Sequence, residues 1–137
     1  MFEQSINYPA VLAAVIINMA LGSVWYGPLF GKQWMKLTGR TKESMEKDKS
    51  DMPKVMGGMA LLALVQTLVL AAFVGYSGAA TVLTGAVVGF WAWLGFVFVT
   101  AMQDVLFQKK NSNLAGINIA YNLVTLLING AVLAVWR

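Results

Sequence analysis

Three long runs without a charged residue dominate the chain, at positions 4–31, 55–103 and 111–136. A bilayer core of about 30 Å is crossed by roughly 20 helical residues, so the first and third runs each fit one crossing and the middle run fits two. The middle run is interrupted at Gly75-Tyr76-Ser77-Gly78, a composition that favours a turn. The pattern predicts a single all-α domain, a compact bundle of four transmembrane helices near 6–28, 54–75, 80–106 and 113–136.

Two other interpretations of these runs fit the sequence less well. A cleaved secretory signal is disfavoured for the first run, because no Lys or Arg precedes it and it ends in Trp25-Tyr26-Gly27-Pro28 rather than in small residues. A membrane β-barrel is disfavoured because its strands alternate polar and apolar positions, whereas Ala, Leu, Met and Gly dominate here. We therefore expect the first helix to be retained and the fold to be helical.

Composition supports a membrane protein and narrows the chemistry. Of the 137 residues, 58% are apolar and only 12% are charged, about half the charged share of a soluble domain. The sequence has no Cys and no His, which removes the thiol nucleophile, the thiolate metal ligand and the commonest general base. We expect no enzymatic activity, no cofactor and no metal site.

The basic residues predict the orientation of the bundle in the membrane. Nine of the ten follow helix 1 or helix 3, and the opposite face has only Arg137. Because short loops rich in Lys and Arg stay in the cytoplasm, we expect the loop 32–53 inside, both termini outside, and one orientation in the cytoplasmic (inner) membrane. A basic loop facing anionic lipid needs no nucleic-acid partner. The nine residues are Lys32, Lys36, Arg40, Lys42, Lys47, Lys49, Lys54, Lys109 and Lys110.

The loop after helix 1 contains two predicted features. Phe30, Trp34 and Leu37 recur at helical spacing, which predicts a short helix in the headgroup layer, with Trp25 and Tyr26 as further interfacial anchors. The segment 41–49 is either a brief soluble helix or a flexible charged linker.

Polar side chains within the predicted helices are the candidate functional residues. Four of them form one stripe on helix 4, and others lie in helices 1 and 2. An unsatisfied amide in hydrocarbon is costly, so we expect these groups to converge inside the bundle. They serve either as interhelical hydrogen bonds or as a hydrated path or small-solute site. The candidates are Asn18, Gln66, Asn118, Asn122, Thr125 and Asn129.

Helix 3 supplies two further candidates. Asp104, near its cytoplasmic end, is expected either to pair with Lys54, Lys109 or Lys110 or to take part in proton coupling. The pattern Gly85-x-x-x-Gly89 permits close approach of another helix, inside the bundle or between subunits.

One stretch resembles a known family. Trp25-Tyr26-Gly27-Pro28-Leu29-Phe30-Gly31-Lys32-Gln33-Trp34-Met35, after the early Asn7-Tyr8, is similar to the signature of the bacterial and archaeal membrane proteins grouped as domain of unknown function 1761. The resemblance implies a four-helix membrane fold and provides no activity, substrate or catalytic residue.

Taken together, the sequence favours a non-enzymatic tetraspan protein, a homo-oligomeric scaffold or accessory subunit whose basic inner loop docks a membrane or cytoplasmic protein partner. The alternative is a small-solute or ion transporter or channel with an Asn-lined interior.

Overall fold

The computed structural model describes residues 7–39, 43, 52–108 and 112–136. Every regular element within these residues is a helix, and four of them are long and apolar enough to span a membrane. The predicted all-α fold with four transmembrane helices is confirmed. The elements are α1 (Tyr8–Leu29), α2 (Gly31–Thr38), α3 (Met52–Ser77), α4 (Val82–Gln108) and α5 (Ser112–Val135).

A tight hairpin joins α3 to α4, slightly later in the chain than the sequence predicts. Helix α3 continues through the predicted break to Ser77, and Gly78 follows with φ of +74°, a conformation that glycine adopts without steric cost. Thr81 then caps α4, because its hydroxyl accepts the Thr84 N–H while the Thr84 hydroxyl accepts the Thr81 N–H. The turn is therefore defined by Gly78, which follows the end of α3, and by Thr81, which caps the start of α4.

Two of the spanning helices contain a π-helical segment, which the sequence analysis did not anticipate. In α1 it covers Trp25–Leu29, where the Phe30 N–H donates to the Trp25 carbonyl at 2.9 Å. Pro28 lies inside this segment and has no N–H, so the regular hydrogen-bond ladder cannot continue through it. In α4 the segment covers Trp93–Phe98 and contains no proline.

Helix α5 lies at the centre of the bundle. It packs against α1, α3 and α4, and it is the most buried of the four spans. It runs antiparallel to α1: the Asn7 amide donates to the Trp136 carbonyl at 3.2 Å, and Trp25 contacts Ile117 at the other end. We call the Asn7/Trp136 end the terminal end and the Trp25/Ile117 end the loop end.

The closest helix packing is between α4 and α5. A Cβ atom added to Gly85 would overlap the Gly130 carbonyl and lie 2.6 Å from the Ala134 Cβ, and one added to Gly89 would overlap the Leu126 backbone. The structure thus places the Gly85-x-x-x-Gly89 motif inside the bundle, where it lets two backbones touch.

The apolar core lies mainly in the terminal half of the bundle. Ala10, Val11, Val74 and Leu133 belong to one buried cluster there. Toward the loop end α3 is much less covered, and nearly all of its residues from 53 to 62 are exposed. Several predicted features lie outside the described residues, namely Arg40, the segment 41–49 apart from Glu43, Lys109, Lys110 and Arg137.

Candidate functional site

Three amides from three different helices meet near the middle of the bundle. The Asn18 Nδ2 of α1 donates to the Gln66 Oε1 of α3 at 3.4 Å, and the Asn129 Nδ2 of α5 donates to the Asn18 Oδ1 at 3.5 Å. Asn18 and Asn129 are buried, with 5% and 1% of their surface exposed. These three residues, called the amide cluster below, bring polar groups of α1, α3 and α5 together.

Hydrogen bonding within this region is incomplete. Both contacts of the amide cluster are at the long limit for a hydrogen bond, whose usual donor–acceptor distance is about 2.9 Å. Among the described residues, the buried Asn129 Oδ1 has no hydrogen-bond partner. Buried polar atoms are nearly always paired, so this oxygen is unusual and shows that the amides do not fully satisfy one another.

A cavity of about 180 Å³ adjoins the amide cluster, between α1, α3 and α5. Such a volume accommodates several water molecules or one small organic molecule. The walls carry no formal charge, and their polar groups come from three amides and one hydroxyl. The lining residues are Asn18, Met19, Met59, Leu62, Ala63, Gln66, Tyr121 and Asn122.

Tyr121 is a site residue that the sequence analysis missed. Its hydroxyl donates to the Asn18 carbonyl at 2.8 Å, and its ring lines the cavity. Gly22 faces this hydroxyl, because a Cβ added there would lie 3.2 Å from it. The sequence did contain a signal, because Tyr121 lies within a long uncharged run, where a buried hydroxyl needs a hydrogen-bond partner.

Aromatic side chains close the loop end of the site. The Trp25 indole N–H donates to the Ile117 carbonyl at 3.1 Å, and the Tyr26 hydroxyl donates to the Asn118 Oδ1. The Tyr26 and Tyr121 rings pack edge to face with centroids 5.4 Å apart. These contacts hold the π-helical end of α1 against α5, and the Asn118 side chain takes part in them.

The predicted interfacial anchors therefore have protein contacts of their own. Phe30 packs on Trp25 at 4.9 Å between ring centroids, and Trp34 of α2 packs on Tyr26 at 6.1 Å. All four side chains are half-buried. The short helix predicted after α1 is present as α2, and its aromatic face covers the loop end of the bundle.

The remaining polar candidates have different surroundings. Asn122 faces the cavity, and its Nδ2 donates to the Asn118 carbonyl of its own helix at 3.0 Å. A further polar residue of α3, Thr67, is buried and donates to the Ala63 carbonyl at 2.7 Å. Asp104 is half-buried one turn before the end of α4 and is not among the residues that line the cavity.

The chemistry available at the site is hydrogen bonding. Amide groups both donate and accept, and the described residues contain no cluster of three or more His, Cys, Asp or Glu side chains. Only Tyr121 can titrate among the residues that line the cavity. The arrangement is suited to holding an uncharged group.

Comparison with known proteins places the chain in a family. No curated protein and no solved structure matches it significantly. The family model described as "Protein of unknown function (DUF1761)" matches residues 9–134, which is nearly the whole chain. The resemblance seen in the stretch from Trp25 to Met35 is thus confirmed, and the chain belongs to this family.

Proposed function

We propose that this chain is a non-enzymatic protein of the cytoplasmic membrane that binds a small uncharged ligand through hydrogen bonds in the middle of the bilayer. The observation on which this rests is the unfinished hydrogen bonding of the amide cluster beside a cavity. Groups serving only to hold helices together would be expected to pair with one another at short distance.

The amide cluster favours a ligand that both donates and accepts hydrogen bonds. Rotating an amide by half a turn exchanges its oxygen and its NH₂ group. Asn18, Gln66 and Asn122, the three amides that line the cavity, can therefore present either group, so the cavity offers both donors and acceptors. Small amides, ureas and alcohols meet both requirements.

Asn122→Leu tests this function directly. Asn122 lines the cavity but bonds only within its own helix, so its loss leaves no side chain of another helix unpaired. We expect the protein in nanodiscs, labelled with ¹⁵N at its Asn and Gln side chains, to show shifts of the Asn18 and Gln66 amide signals on titration with acetamide. The variant is expected to bind acetamide about fivefold more weakly, the effect of one hydrogen bond.

Thr100→Val is the matched control for that experiment. Thr100 is exposed on α4 and, like Asn122, donates to a carbonyl of its own helix. Its acetamide response should equal that of the unaltered chain. The proposal fails if acetamide shifts no signal of the amide cluster, or if both variants respond alike.

The charge distribution supports the proposed orientation, with the loop end in the cytoplasm. The absence of cysteine from the sequence allows a clean test with single-cysteine variants. We expect a membrane-impermeant maleimide added to intact cells to label Ser5→Cys, and to label Ser44→Cys only after the membrane is permeabilised. The reverse pattern would contradict the proposed topology.

A homo-oligomeric scaffold is the second candidate function. Gly57 and Gly58 on α3 have no described atom within 4 Å of an added Cβ, so another helix can approach this face closely. Leu61, one turn further along the exposed face, is 61% exposed. We expect Leu61→Cys to form a disulfide-linked dimer on mild oxidation in membranes, and Leu83→Cys on α4 to form none. Equal cross-linking of both variants would indicate random collision.

A further inference from the structure

One face of α3 borders two cavities that lie end to end. Its residues recur at every third or fourth position, which places them on one side of the helix. The part of this face nearer the loop end lines the cavity beside the amide cluster, and the part nearer the terminal end lines a second cleft of about 380 Å³. Gln66 belongs to both. The face consists of Met59, Leu62, Ala63, Gln66, Val69, Leu70 and Phe73.

The second cleft, between α3 and α4, is apolar except at Gln66. Its α4 wall is the π-helical segment and the residue before it, which provide Ala92, Phe96 and Val97. Phe96 faces Phe73 across the cleft with ring centroids 6.3 Å apart. These two side chains are 68% and 38% exposed on the surface that meets the bilayer, so the cleft is reached directly from the lipid.

We propose that the cleft and the amide-lined cavity form one amphipathic site for a molecule dissolved in the bilayer, with an uncharged hydrogen-bonding head and a single apolar chain. The head lies among Asn18, Gln66 and Asn122, and the chain lies between Phe73 and Phe96. This inference rests on the proposed function and adds the class of ligand and its route of entry, which is sideways from the membrane.

The position of Gln66 favours this ligand over a purely polar or a purely apolar one. A polar solute would leave the apolar cleft unused, and a plain hydrocarbon would leave the amides unpaired at a considerable cost. A head group placed beside Gln66 satisfies the amides while the attached chain fills the cleft. Because the residues lining both cavities carry no formal charge, a charged phospholipid head finds no partner there.

Photolabelling of the full chain in lipid nanodiscs tests the inference. The probe is decanamide with a diazirine at the middle of its chain, and the labelled residues are located by mass spectrometry. We expect labels to concentrate at positions 69–73 and 92–97, and an excess of unmodified decanamide to suppress them. Gln66→Leu, which removes the hydrogen bond to the head, should reduce labelling about fivefold or more.

Ala92→Phe provides a second variant that leaves the polar cavity intact, because Ala92 lines the apolar cleft and does not line the cavity. It should reduce decanamide labelling to a similar extent while leaving the acetamide response of the amide cluster unchanged. Leu83→Phe, on the lipid-facing surface of α4 with 73% exposure, is the matched control and should change neither result.

The outcomes separate the inference from the proposed function. Labels spread evenly over lipid-facing residues such as Leu61 and Leu83, without competition, would overturn the amphipathic site even if acetamide still shifts the amide signals. Labelling of the cleft that Gln66→Leu leaves undiminished would overturn the placement of the head. A missing acetamide response would overturn the proposed function itself.

Discussion

Gly89→Ala is expected to prevent the normal packing of α4 on α5, although it adds one methyl group. The new Cβ would overlap the Leu126 backbone, which belongs to a helix and cannot move aside as a flexible side chain would. Overpacking of a well-filled interior costs about 1–3 kcal/mol, and we expect the upper end of this range or more because backbone is opposed to backbone. The loss of stability is measured by SDS unfolding in mixed micelles, monitored by circular dichroism.

Gly95→Ala is the matched control, because it makes the same change in the same helix. No described atom lies within 4 Å of a Cβ added at Gly95. Alanine favours a helix over glycine by about 0.5–1 kcal/mol, so this variant should be as stable as the unaltered chain or slightly more stable. If both alanine variants unfold at the same SDS fraction, the close contact between α4 and α5 is not formed.

Asn18→Leu is expected to have the second largest effect, because Asn18 bonds both other members of the amide cluster. Leucine of similar volume would leave the Gln66 Oε1 and the Asn129 Nδ2 without partners. Leaving buried groups unpaired costs about 1–3 kcal/mol, although polar interactions between membrane helices average nearer 0.6, so we expect a loss of about 1–2 kcal/mol. SDS unfolding measures it, and acetamide binding should also be lost.

Asn129→Leu should separate stability from binding. Asn129 carries a buried oxygen that already has no partner among the described residues, and leucine removes this group. The change leaves one acceptor, the Asn18 Oδ1 of a residue that lines the cavity, without the 3.5 Å contact that positions it. We expect its stability to remain within about 0.5 kcal/mol of the unaltered chain, while acetamide binding weakens. Equal destabilisation by both leucine variants would indicate that the amides are structural contacts and nothing more.

The number of transmembrane segments and their helical form could be predicted from the sequence, because hydrocarbon offers no hydrogen-bond partners to the backbone. A segment that crosses it must satisfy its own backbone, which leaves only helices for long uncharged runs of this composition. The same reasoning predicted that Asn18, Gln66 and Asn129 would face inward. Neither inference required any knowledge of which helix touches which.

Helix neighbours could not be predicted, and the reason is physical. In water an apolar stripe shows which side of a helix is buried, but in lipid every side is apolar, so hydrophobic periodicity loses its meaning. The sequence therefore left Gly85 and Gly89 open to a contact within the bundle or between subunits. The central position of α5 and the contact of Tyr121 with Asn18 likewise depend on packing.

The π-helical segment of α4 escaped prediction for a different reason. In α1 the presence of Pro28 explains why the regular ladder fails, whereas residues 93–98 contain no proline. The segment is recognised by its surroundings: it forms one wall of the apolar cleft, and the Trp93 indole donates to the Ile119 carbonyl. A π-helical segment of this kind depends on contacts with neighbouring helices, which the pattern of residues along the sequence does not show.

The central place of α5 has a consequence for biosynthesis. Helices α1, α3 and α4 are translated before the helix on which they pack, so each must enter the membrane while its eventual contact surface is still unoccupied. During this interval the glycine face of α4 is exposed to lipid or to the insertion machinery, whereas Asn18 and Gln66 can already pair between α1 and α3. Assembly is therefore expected in two stages, in which α1 packs on α3 first and the arrival of α5 completes the bundle.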